Sequence, residues 1–467
     1  MFRFAALILL PALAFPLRAQ APDARSAKVD SIFANMDRTT TPGCAVGAVQ
    51  NGRFLHRRGY GMADLERGVP INTETVFYSG SVSKQFTAMS IALLARDGKI
   101  SLDDPARKYI PEIPESGASI TIRQMVHHMS GLREKWDLFI LRGLPEGYLV
   151  TQNDVLEVLK KQRDLNFEPG TDQVYNNTAY DMLATIVQRA SGKSIRDFAA
   201  ERIFGPLGMQ RSQYVDDWTL LVPGRAAGHS IQNGKVSLAA AHVETVGSGS
   251  VYTTVEDLAR WDESFYTGQL GGDALLQLVQ TPGKFNNGTV GPMNYAFGLM
   301  VDTWRGLRRV HHGGALAGFR SEIMRFPDQH FSALVMCNLA QVNPQALAER
   351  IAEVYLADKL APAVVAASSP QAEAKPSEPA LTGAALAAYA GKYQSPELDI
   401  TWTVAQKGDG LVATVVKGRE VPMKAVARDT YTVDNMQVKF ARDAKGKVNA
   451  LLLTPGRSRN IKFDRAG

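Results

Sequence analysis

Cysteine is scarce in this chain. Its 467 residues hold two, Cys44 and Cys337, too few for a disulfide-built scaffold, and no Cys or His spacing has the pattern of a metal site. Dense runs of Lys and Arg are missing as well, so no nucleic-acid footprint is expected. No apolar run reaches the roughly 18 residues of a membrane span. No internal repeat is found.

What is there is ordinary for a soluble globular protein. Apolar residues make up 45% of the chain and charged residues 21%, with a net charge of +6. At about 150 residues per domain, the length suggests two or three domains. The positive balance gives only a weak pull on acidic polymers.

The N-terminus starts Met1-Phe2-Arg3, continues almost wholly apolar from Phe4 to Phe15, and ends Pro16-Leu17-Arg18-Ala19-Gln20-Ala21. A charged start, a short apolar core and small residues at its end predict a secretory signal peptide over 1–19, with a periplasmic or secreted mature chain. An uncleaved anchor is the alternative. Export would permit a Cys44–Cys337 disulfide. Both cysteines sit in strand-like apolar runs, where buried free thiols are at least as compatible.

Along the chain, residues 24–38 read as a helix. Cys44–Val49 and Arg53–Tyr60 flank Asn51-Gly52, a hairpin signal. Lys84 to Arg96 is apolar almost all round and predicts a buried helix capped near Gly98. Helices follow at 151–161 and 178–191. Residues 309–312, 320–326 and 331–337 read as three successive strands. Strands first, helices in the middle and strands again predict an α/β (α+β) fold: one antiparallel sheet built from both chain ends, flanked by helices, with a helical subdomain. This domain spans 20–360. Residues 361–380, dominated by Ala, Pro, Ser and Glu, read as a flexible linker. Residues 381–467 form short alternating stretches between Gly-containing turns, a small all-β barrel or sandwich.

Three patterns carry chemistry. In Ser81-Val82-Ser83-Lys84, three-residue spacing puts hydroxyl and ammonium on one helix face. A helix start there presents the Ser81 N–H to a developing anion. A serine hydroxyl needs a proton acceptor, and a buried lysine can supply one. In Tyr175-Asn176-Asn177, a phenol and an amide two residues apart can both face a cleft: Tyr175 to relay protons, Asn177 to hold a substrate carbonyl or Lys84. In His312-Gly313-Gly314, small residues at a strand end let a substrate backbone lie close. There the Ala315 N–H can complete an oxyanion hole with Ser81, and His312 can bind a carboxylate or polarise Tyr175. Taken singly, each pattern also fits plain packing, capping or a bulge. Together, in this order, they are specific.

The set resembles the class C β-lactamase-related serine hydrolases, a penicillin-recognising group that includes DD-peptidases, D-aminopeptidases and certain esterases. Ile120-Thr121-Ile122-Arg123, His128-Met129-Ser130-Gly131-Leu132, Phe167-Glu168-Pro169-Gly170, Gly205-Pro206-Leu207-Gly208-Met209 and Gly314 through Gly318-Phe319 are similar to family segments. The similarity covers roughly residues 25–355. Gly318-Phe319 sets the register that makes His312, not His311, the third-motif residue. The β-lactamases proper usually carry Lys-Thr-Gly there. His-Gly-Gly is common among esterase and peptidase relatives, so efficient β-lactamase activity is not implied. Ala315 also lacks the hydroxyl that some relatives place there. Tyr389-Ala390-Gly391-Lys392-Tyr393 opens a module similar to the lipocalin-like domains appended to some relatives, where a loop in a few cases narrows the active site.

The resemblance implies two-step acyl transfer without metal or organic cofactor. Ser81 attacks, Lys84 or Tyr175 takes the proton, and Tyr175 or Lys84 activates water. Asn177, His312, Gly314 and Ala315 line the substrate. Three activities compete: a hydrolase of small D-residue peptides or β-lactam-like amides, an esterase on small acyl esters, and a slowly turning-over penicillin-binding sensor. The expected partner is a small molecule or short peptide. The sequence leaves oligomeric state open.

Overall fold

Every residue of Phe331–Cys337 is buried, as are six of the seven in Cys44–Gln50. Strands of this kind need cover on both faces, and the fold provides it. The computed structural model describes residues 24–145, 147–240, 242–362 and 381–466. The expected signal peptide, and the linker from 363 to 380, fall outside them.

Six strands form one antiparallel sheet in the order 300–304, 307–316, 319–326, 331–337, 44–50 and 53–60. The two chain ends therefore meet at its centre. Alternate side chains feed two cores. Ala45, Val49, Leu334 and Met336 face one, with the helix Val255–Thr267 over them. Val46, Ala48, Ala333 and Val335 face the other, under the helices Ala24–Phe33 and Pro344–Leu356. The hairpin turn is as the sequence predicts: Asn51 and Gly52 both take positive φ, at 51° and 71°. The first helix is shorter than predicted. It stops at Phe33, and Met36 and Asp37 turn back to donate to the Phe33 carbonyl.

Cys44 and Cys337 face each other across neighbouring antiparallel strands and are joined by a disulfide. Free thiols, as compatible as a disulfide in the sequence, are thus replaced by a cross-link. The strand register decides this, and composition does not reveal it.

The helix Ser83–Arg96 is buried from Ser83 through Leu94 and packs on the helix Asn177–Ser191. Gly98 ends it with φ 68°. Beyond the linker, eight sequential antiparallel strands from Gly391 to Arg465 close into a barrel, the last (Ile461–Arg465) pairing with the first (Gly391–Ser395). Tyr393, Trp402, Tyr431, Phe440 and Phe463 fill it. The sequence left barrel and sandwich open, and strand closure makes it a barrel.

The barrel is fastened to the first domain. Arg133 and Glu397 form an ion pair at 3.0 Å, both almost fully buried. The loop after the barrel strand Val448–Thr454 is held by Asp137, whose Oδ2 accepts from the backbone N–H of Arg457 (2.8 Å) and of Ser458 (2.7 Å). Among the described residues no helix is long and apolar enough to cross a membrane.

Candidate active site

The strand Phe77–Tyr78 pairs with Val251–Thr253 and delivers Ser79-Gly80-Ser81 to the head of the buried helix. One turn of 3₁₀ helix, Gly80–Val82, carries Ser81 into it. The turn is pressed against the sheet edge. A Cβ on Gly80, at φ 57°, would stand 2.5 Å from the Ala315 backbone nitrogen, and one on Gly314 would stand 2.1 Å from the Ser79 carbonyl oxygen. Only glycine permits that approach on both sides. The Ser321 hydroxyl donates to the Ser79 carbonyl at 2.6 Å and pins the contact. The backbone of Gly314-Ala315 is thereby held beside Ser81, as a two-donor oxyanion hole requires.

Lys84 is completely buried. Its Nζ lies 3.2 Å from Ser81 Oγ, 2.8 Å from Asn177 Oδ1 and 2.7 Å from the Ser248 carbonyl oxygen. Burial drives its pKa down to about 7. The Asp181 and Glu134 carboxylates oppose this fall, while the Lys135 and Arg457 charges add to it. Nζ also sits 4.8 Å from the centroid of the Tyr175 ring. The Tyr175 hydroxyl is buried, which holds its pKa above the usual phenol value, and the Ser81 hydroxyl is the main group pulling it back. Around one hydroxyl the site therefore gathers an amine whose pKa is lowered toward neutrality and a phenol that keeps its proton.

Asn176 caps the following helix, its side chain accepting from the Ala179 N–H at 2.7 Å. That frees Asn177, the first helical residue, to turn its amide into the site. Its Nδ2 donates to Glu134 Oε1 at 3.0 Å, and its backbone N–H donates to Glu134 Oε2 at 2.7 Å. Glu134 is itself buried, and desolvation raises its pKa. Lys135 pairs with Asp181 at 2.5 Å, and Asp181 accepts from the Ser248 N–H at 3.0 Å. Lys84 thus reaches Glu134 through Asn177, while Lys135 is paired with Asp181.

His312 lines the cleft, as the sequence predicts, but both of its ring nitrogens are engaged. Nδ1 donates to the Gly313 carbonyl at 2.6 Å, which leaves Nε2 to accept from the Tyr295 hydroxyl at 2.9 Å. Burial, with the Lys84 charge adding to it, pushes its pKa down to about 3. The ring is a neutral, fixed wall. With both nitrogens engaged, the ring has neither proton nor lone pair turned to a carboxylate or to Tyr175, the two roles the sequence suggests for it. Ser81, Tyr175, Asn177, His312, Gly314 and Ala315 share one open cleft of about 660 Å³, with Lys84 beneath its floor.

Several participants escaped the sequence patterns: Glu134, Lys135, Asp181, Ser248, Tyr295 and Arg457. Glu134-Lys135 has a faint signal, two adjacent charges just after the Gly131-Leu132 segment. Arg457 has none, since it reaches the cleft from the barrel.

Sheet, helical layer and the Ser81–Lys84–Tyr175 cluster define a serine hydrolase with a penicillin-recognising fold. The chain belongs to the Beta-lactamase family, whose profile matches residues 29–356. Residues 375–465 match the profile of a domain of unknown function, DUF3471. The chain is 28% identical over 403 residues to a D-aminopeptidase of Cereibacter sphaeroides, covering 86% of this chain and 72% of that one. Its fold is similar to that of a penicillin-binding protein homologue from Pyrococcus abyssi, described as octameric. The TM-score is 0.63 with 20% identity, over 94% of this chain and 99% of that one. It is also similar to a D-amino acid amidase from Ochrobactrum anthropi SV3, with TM-score 0.59 and 20% identity, over 72% and 99% of the two chains.

Proposed function

We propose that this chain is an exported hydrolase of amide bonds in small peptides or amides containing D-amino acids, working through an acyl-enzyme on Ser81. One observation carries the mechanism: a buried amine with a pKa of about 7 stands 3.2 Å from the serine hydroxyl. Ser81 Oγ attacks the carbonyl carbon as its proton passes to Lys84, the group that is neutral often enough to take it. The tetrahedral oxyanion is held by the backbone N–H groups of Ser81 and Ala315. Tyr175, which keeps its proton at neutral pH, donates it to the departing nitrogen. Lys84 then returns a proton to Tyr175. Water then adds to the acyl carbon as one of its protons passes to Lys84; the C–Oγ bond breaks, Lys84 returns the proton to Oγ, and the acid and free Ser81 are released.

The amide preference is supported by the D-aminopeptidase and D-amino acid amidase likenesses. The neutral, fully engaged His312 offers no permanent charge to a β-lactam carboxylate, which favours open-chain amides over β-lactams. Esterase activity on small esters is the second reading, favoured by the openness of the cleft beside Trp136 and Met300. Export is supported by the apolar leader and by the Cys44–Cys337 disulfide.

The test is a substrate panel: D-alanine p-nitroanilide, p-nitrophenyl butyrate and a chromogenic cephalosporin, each with Ser81→Ala as control. Turnover of the anilide, lost in Ser81→Ala, is the expected result. Turnover of the butyrate alone would replace this reading with the esterase. A stoichiometric burst with no turnover would replace it with a penicillin-binding sensor.

A further inference from the structure

The cleft is bordered by three cations from three parts of the chain, and they differ in what holds them. Lys135 is paired with Asp181. Arg320 donates from one terminal nitrogen to the carbonyls of Ala317 (3.0 Å) and Phe319 (2.7 Å). The third is Arg457, on the barrel loop.

Its backbone is fixed on both sides. Asp137 Oδ2 accepts from its N–H, and Asn166 Nδ2 donates to its carbonyl at 3.1 Å. Ser458, next in the chain, is fully buried and accepts the Glu134 backbone N–H on its hydroxyl at 3.1 Å. The side chain, in contrast, is exposed at the mouth of the cleft. Its guanidinium carbon stands 4.8 Å from the centroid of the Tyr175 ring. Among the described residues no carboxylate pairs with it, whereas its neighbour Arg459 is paired with Asp172 at 2.6 Å. A guanidinium on a pinned backbone, laid over an aromatic face with its donors open to the cleft, is preorganised for a planar anion.

We propose that Arg457 selects substrates whose leaving group carries a carboxylate. This rests on the reading above, in which Tyr175 protonates the departing atom. What departs from Ser81 past Tyr175 passes under the guanidinium. The chemical class implied is an amide or peptide whose released amine is itself an amino acid with a free carboxyl group. Arg457 is a binding and specificity residue that makes or breaks no bond. The barrel thus supplies one wall of the active site, a role that the hydrolase domain alone lacks.

The experiment compares two esters with the same acyl group, 4-carboxyphenyl butyrate and phenyl butyrate, in the full-length chain. The ratio of their kcat/KM values is measured in wild type, Arg457→Gln and Arg457→Lys, so that their intrinsic reactivities cancel. The expected result is a ratio about tenfold lower in Arg457→Gln, carried by KM, and partly restored in Arg457→Lys. Added salt should lower the wild-type ratio as well. The same two esters titrated into Ser81→Ala by calorimetry read the preference without turnover, so loss of the hydrolase reading would not mask this one. A ratio that Arg457→Gln leaves unchanged, or equal affinities of the two esters for Ser81→Ala, would overturn the proposal.

Discussion

Asn177 holds Lys84 through one end of its amide and Glu134 through the other: Oδ1 lies 2.8 Å from the ammonium, and Nδ2 lies 3.0 Å from the carboxylate. Each distance fixes the orientation of the next group. The amine therefore has one place to be, beside Ser81 Oγ, and its charge is set first by burial and then by the carboxylates and cations around it.

With Lys84 near pKa 7 and acting as the proton acceptor, kcat/KM should rise with pH up to about 7 and level off above it. The sign follows from the lowered pKa: below it the amine is charged and cannot accept. Lys84→Arg fixes the charge permanently and should cut kcat by about a thousandfold or more, while fluorophosphonate labelling of Ser81 slows in parallel. A pH profile that stays flat between pH 5 and 9 would exclude Lys84 as the base.

Glu134 is buried near Lys84 and raises its pKa through its charge. In Glu134→Gln that charge is gone and the Asn177 contact is kept in part. The rising limb of the pH profile should then move to lower pH, with kcat at its plateau falling less than in Asn177→Ala. A purely structural role for Glu134 would lower the plateau and leave the limb in place.

The Arg133–Glu397 pair joins the two domains in a dry setting. Removing one partner strands a buried charge, so Glu397→Ala should cost about 3–5 kcal/mol in urea unfolding. The double substitution Arg133→Met/Glu397→Leu should recover most of that loss. Additive losses in the double variant would mean that the two residues act independently.

Cys44 and Cys337 close a loop of 293 residues. Replacing both with alanine should lower stability by about 2–4 kcal/mol. Because both are fully buried, reductant should act on the wild type only once it begins to unfold. Equal melting temperatures of wild type and double variant under oxidising conditions would show that the cross-link adds nothing.

The sequence exposed local features well. The Asn51-Gly52 turn, the apolar run after Lys84 and the alternation in the last 80 residues each carry their own signal, since each is decided by neighbours in the chain. The Ser81–Lys84 pair was equally legible, being one helical turn. What stayed hidden depends on distant segments meeting. Glu134 and Asp181 matter because the helix Asn177–Ser191 folds beside the helix Ser83–Arg96. His312 was legible as a cleft residue, but its contacts to Tyr295 and the Gly313 carbonyl exist only in three dimensions. Arg457 lies 376 positions after Ser81, and no spacing rule joins them.

The central sheet places the first strand of its domain next to the last. A chain delivered from its N-terminus presents Cys44 well before Cys337, 293 positions later. Throughout that interval the first hairpin has an open row of amide and carbonyl groups along the edge where Phe331–Cys337 will dock, a ready template for a wrong neighbour. Closure of the sheet is thus a late event that no local segment can hasten. Yield at high expression levels should be limited by whatever shields that edge while it waits.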